Sequence, residues 1–66
     1  MMCSFAFEDK PYQVSDEACA QAGNIQLPDG RVLQVDGWLE SMPPQPCITG
    51  VTTEVSSRPV FEAVAV

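Results

Sequence analysis

Two carboxylates bracket the chain's one tryptophan in Asp36-Gly37-Trp38-Leu39-Glu40, and no other spacing in this sequence points as directly to chemistry. Alternate residues of a strand share a face, so an extended 36–40 segment presents Asp36, Trp38 and Glu40 together. As a catalytic acid pair, Asp36 and Glu40 would stand about 13 Å apart at ~3.3 Å per residue. A two-carboxylate glycosidase needs roughly 5–9.5 Å. As a binding surface the triplet is better suited, because tryptophan is enriched among interface hot spots, and Met42 extends an adaptable apolar patch. A bent sheet that closed over Trp38 would place it in the core instead, and these two readings of the residue compete.

The rest of the chemistry is sparse. The sequence has no histidine, which removes the usual general base, the Ser-His and Cys-His pairs and most catalytic zinc sites. Cys3, Cys19 and Cys47 form an odd set without a C-x-x-C pair, and read as small buried thiols in a reducing compartment rather than a disulfide framework. None has a cationic neighbour in sequence that would make a reactive thiolate. Glycines 23, 30, 37 and 50 fit no phosphate-cradling pattern and suit turns or bulges. Asp29-Gly30 and Asp36-Gly37 do not have calcium-loop spacing. The expectation is a protein that is not an enzyme and that holds no metal and no cofactor.

Charge narrows the partners. Nine acidic residues against three basic ones give −6, and Lys10, Arg31 and Arg58 cannot build the basic stripe that nucleic acid requires. A basic protein surface is the complementary partner. No run approaches the 18 or so apolar residues of a membrane-spanning helix. MMCSFAFEDK lacks the basic start and long apolar stretch of a secretory signal. A cytoplasmic protein is therefore expected, without membrane attachment.

These residues must be positioned by one small domain over 1–66. Cys3, Phe5 and Phe7 alternate with Ser4 and Ala6, which predicts a strand over 3–7 with its aromatic face inward, ended by a turn at 8–11. Ser15 as N-cap, Asp16 and Glu17 in a first turn, three alanines and Gly23 as terminator predict a short helix over about 16–22. Strands are predicted over 24–27 and 31–40, joined by a Pro28-Asp29-Gly30 turn. On the second strand Leu33, Val35, Gly37 and Leu39 form the core face. Val32, Gln34, Asp36, Trp38 and Glu40 form the other. Pro43, Pro44 and Pro46 read as a stiff connector rather than a Pro43-x-x-Pro46 ligand, since no Arg or Lys flanks them. The β-branched 47–55 segment, with Thr49, Val51, Thr53 and Val55 on one face, and a closing strand over 60–66 complete the chain.

The fold class is thus α+β and mainly β: a small bent antiparallel sheet or open barrel of about five short strands with one short helix. The expected function is protein binding, as an inhibitor or accessory subunit, through Asp36, Trp38, Glu40 and Met42. The alternative is a homo-oligomer, assembled through strand edges, that binds a small anionic ligand with Arg31 and Arg58, whose guanidinium forks suit phosphate or carboxylate.

Overall fold

Alternation at the start of the chain does produce a strand. β1 (Met2–Phe7) buries Phe5 and half-buries Cys3 and Phe7 while Ser4 and Ala6 face solvent. The computed structural model describes residues 2–42 and 44–66. Glu8 and Asp9 then turn the chain in two residues, both at positive φ (52° and 64°), which matches the twist of a tight hairpin. The return strand, β2 (Lys10–Ser15), pairs antiparallel with β1 from Phe7↔Lys10 to Met2↔Ser15. It buries Tyr12 and Val14.

The expected helix over about 16–22 does not form, because its expected N-cap, Ser15, is taken into β2 and its expected terminator, Gly23, opens the next strand. Ser15 ends β2, and the only helical turn among the described residues is a 3-10 turn at Ala18–Ala20, whose first residue is buried. The Ala18 N–H still donates to Ser15 Oγ at 3.4 Å, but the N-cap position of the turn is Glu17 and not Ser15, and the turn stops after three residues. So short a helix is marginal without packing, and by Gln21 the backbone is already extended (φ −135°, ψ 153°).

The second hairpin follows the sequence more closely. β3 (Gly23–Gln26) and β4 (Val32–Leu39) pair antiparallel. Gly30 takes φ 98° in the turn between them, closed by Leu27 N–H to Arg31 O at 2.8 Å and Gly30 N–H to Leu27 O at 3.1 Å. β5 (Gln45–Thr52) runs back along β4 as an edge strand. It begins one residue before the end of the proline cluster, with Pro46 opposite Trp38, and an edge is where a strand tolerates proline. Pro43, the first residue of the P-x-x-P, lies outside the described residues. On β5 Thr49 and Val51 are the solvent face, whereas Ile48 packs on the core. Thr53 and Val55 lie beyond its end.

The expected closing strand divides in two. β6 (Val60–Glu62) pairs parallel with β3, and β7 (Val64–Ala65) pairs antiparallel with β2. Buried Ala63 marks the step between sheets, with its N–H on Gln26 O at 2.9 Å. The result is mostly β, with a three-stranded sheet (β1-β2-β7) and a four-stranded sheet (β5-β4-β3-β6). It is not a closed barrel, and the seven strands among the described residues exceed the five expected because 10–15 and the split of 60–66 add two.

Phe5, Tyr12 and Val14 from the first sheet meet Ile25, Leu27, Leu33 and Val35 around the second, with Ala18 and Ala63 filling the seam. Each large buried side chain contributes about 1.5–3 kcal/mol. Cys3 and Cys19 form a disulfide, which corrects the free-thiol expectation and ties β1 to the 3-10 turn. The spacing of 15 intervening residues carried no sign of the pairing, because the β1–β2 hairpin is what brings Cys3 beside the turn. Cys47 stays a free, half-buried thiol on β5.

Candidate functional site

Trp38 owes its position to a shift in register. Between Gln34↔Gly50 and Val35↔Ile48 the extra residue lies on β5; between Val35↔Ile48 and Trp38↔Pro46 it lies on β4, at Asp36-Gly37. Each such bulge reverses which side chains face the core. Leu33 and Val35 point inward as expected, but after the second bulge Trp38 takes the inward position and Leu39 is left 58% exposed. Gly37 thus serves as a bulge residue, and the expected core face ends at Val35.

Trp38 is half-buried and meets Phe5 edge to face, ring centroids 5.8 Å apart and planes at 82°. Phe5 in turn stacks on Tyr12 at 5.6 Å. The Trp38 indole Nε1–H is buried and has no hydrogen-bond acceptor among the described residues. A donor left in that state costs about 1–3 kcal/mol, and most buried polar atoms avoid it.

Around this ring lies a cleft of about 620 Å³, within the range of ligand sites. One wall is the 3-10 turn and its exit, including Cys19, Ala20 and Ala22; the other is the end of β4 with Asp36, Trp38 and Glu40. Small side chains make the room. The disulfide fixes the first wall, since Cys19 belongs both to the bridge and to the lining. Three of the four residues singled out from the sequence are thereby brought together. Met42 is not among the lining residues and is fully exposed. The wall of small residues was missed, because the alanines of 16–22 read only as helix formers and Cys19 only as a small buried thiol.

The two carboxylates differ. Asp36 Oδ1 is 3.7 Å from Arg58 Nη1. Glu40 has no ion-pair partner among the described residues. Arg58 is held near Asp36 by the buried Asn24, whose Nδ2 donates to Arg58 O at 3.2 Å and to Ser56 Oγ at 3.0 Å.

Arg31 stands in a separate cluster at the two hairpin turns. Its Nη1 donates to Glu8 Oε1 at 2.7 Å and its Nε to Asp29 Oδ2 at 2.8 Å, and its guanidinium carbon lies 5.4 Å from the Phe7 ring centroid. The side-chain bond to Glu8, then the one to Asp29, pushes the Arg31 pKa further up. The Arg31 backbone N–H, donated to Asp29 Oδ1 at 3.0 Å, leads the interactions that hold Asp29 below its ordinary value. The two arginines expected to share an anion therefore each have carboxylate partners of their own. Among the described residues no group of three or more His, Cys, Asp and Glu could hold a metal ion, and no helix is long and apolar enough to cross a membrane.

No family model matches the chain, and neither a curated protein nor a solved structure matches it.

Proposed function

We propose that this chain is a protein-binding module whose docking site is the Trp38 cleft, occupied by a basic segment of another protein. The observation that carries this reading is the convergence of Trp38, Asp36 and unpaired Glu40 on one cleft. The net charge of −6 favours encounter with a basic surface. A small domain with a limited core also gains stability from any partner that binds only its folded form. An inhibitor or accessory subunit is the role that fits, rather than a catalyst.

Anion binding by Arg31 and Arg58 is less favoured, because an anion would have to displace Glu8 and Asp29 from one guanidinium and Asp36 from the other. A cytoplasmic location and the Cys3–Cys19 bridge pull in opposite directions, since cytosolic thiols are kept reduced. A free-thiol count on protein recovered without reductant decides between them: one thiol supports an oxidising compartment, three a reducing one.

The docking reading is tested by purifying a protein captured by the native chain and titrating it calorimetrically against native, Trp38→Ala and Glu40→Arg forms. One-to-one binding that weakens with salt and drops at least tenfold in Glu40→Arg supports the cleft. Circular dichroism verifies that each variant is folded. Equal affinity in both folded variants would place the interface elsewhere.

A further inference from the structure

The Arg31 cluster is a completed version of what the Trp38 cleft offers half-finished. In the first, one guanidinium lies over an aromatic ring, Phe7, and its N–H groups reach two carboxylates, Glu8 and Asp29. In the second, an aromatic ring, Trp38, and two carboxylates, Asp36 and Glu40, line one cleft. A guanidinium of the same chain, from Arg58, reaches Asp36 from 3.7 Å and leaves Glu40 unpaired. Among the described residues no further side-chain cation completes the set: of the three basic residues, Arg31 is committed to Glu8 and Asp29 and Arg58 lies beside Asp36, while Lys10 begins β2 after the Glu8-Asp9 turn and lines a different cavity.

We propose that the cleft is an arginine-binding subsite, in which a partner's guanidinium packs on the Trp38 ring and pairs with Glu40, competing with Arg58 for Asp36. The inference rests on the docking reading and deepens it by naming the anchor. Arginine is specified over lysine for physical reasons. A planar guanidinium stacks on an aromatic face, is more weakly hydrated than an ammonium, and presents several donors in one plane to more than one carboxylate. Tryptophan is the strongest of the aromatic faces for a cation. Ala20, Ala22 and Gly37 keep the opposite wall and the bulge free of bulk. Arg58 acts as a resident competitor, positioned by the Asn24 bond to its carbonyl.

The test uses the single tryptophan as its own reporter. Trp38 emission is followed while hexa-arginine, hexa-lysine or an uncharged leucine-serine hexapeptide is added at one low salt concentration. Hexa-arginine is expected to bind at least tenfold more tightly than hexa-lysine, a difference that equal charge cannot produce. Glu40→Gln is expected to weaken it about tenfold and Arg58→Gln to tighten it about threefold. Equal binding of the two cationic peptides, or binding unaffected by Glu40→Gln, would reduce the effect to net charge and overturn the subsite. A response to the uncharged peptide alone would also overturn it, while leaving the cleft as a docking site. Silence toward all three peptides, with a captured protein still lost in Glu40→Arg, would discard the arginine anchor and keep the docking reading.

Discussion

Phe5 and Trp38 meet edge to face across the two sheets, with ring centroids 5.8 Å apart. This contact settles the competition between core and surface for the tryptophan by giving it both. One part of the ring seals the core, and the residue also lines the cleft between the 3-10 turn and β4.

Because Trp38 Nε1–H is buried without an acceptor among the described residues, a residue that keeps an aromatic ring and drops the donor should be tolerated. Trp38→Phe is expected to lie within about 1 kcal/mol of the native protein in urea unfolding, since loss of apolar area is offset by relief of an unsatisfied donor. Trp38→Ala should cost about 2–3 kcal/mol, below the range for a fully buried ring. Equal and large losses in both would mean that the indole N–H is satisfied in solution.

Asn24 is fully buried and bonds Ser56 Oγ and Arg58 O, while its own N–H donates to Pro59 O at 2.8 Å. Asn24→Leu removes the side-chain donors and strands polar groups of 56–58. The expected loss is about 2–3 kcal/mol, with β6 losing amide-exchange protection before β4 does. Uniform loss of protection would show that Asn24 does not specifically hold the 56–59 connector.

The Cys3–Cys19 bridge closes a span of 16 residues, for which chain entropy gives about 3 kcal/mol. Reduction, or Cys19→Ser, is expected to lower the urea midpoint accordingly and to make Trp38 emission more sensitive to quencher, since Cys19 forms one wall of the cleft. An unchanged midpoint under reductant would mean that the bridge does not form in solution.

Asp29 supplies the clearest acid sensitivity. Its folded pKa is lowered, chiefly by the Arg31 backbone N–H, so the carboxylate stabilises the fold above its unfolded pKa, and that contribution disappears as pH falls through the lower folded one. The urea midpoint should therefore decline below about pH 4, and less steeply in Asp29→Asn. A variant that tracks the native curve throughout would assign the acid loss to other carboxylates.

What could be read from the sequence followed from local pattern. The alternation of Cys3, Phe5 and Phe7, the Pro28-Asp29-Gly30 turn and the inward Leu33 and Val35 all survived folding because each depends on neighbours within a few residues. The 10–15 strand was hidden because Lys10-Pro11 resembles a turn and Ser15 a helix cap, and because Glu8-Asp9 forms a tight turn without glycine. The inward placement of Trp38 depends on the bulge at Asp36-Gly37, whose place is set by pairing with β5, and the disulfide depends on a hairpin that was itself unseen. For the same reason Asp36, Trp38 and Glu40 were legible as a group, but the wall of small residues facing them was not.

The central claim is that the Trp38 cleft is where this protein binds, and the most direct measurement is the indole N–H resonance of its single tryptophan in a nitrogen–proton correlation spectrum. On titration with hexa-arginine, that resonance and the amides of 36–40 and 19–22 are expected to shift together, while amides of the Arg31 cluster stay in place. Shifts confined to the Arg31 turns or spread evenly over the acidic surface, with the indole resonance fixed, would contradict the account.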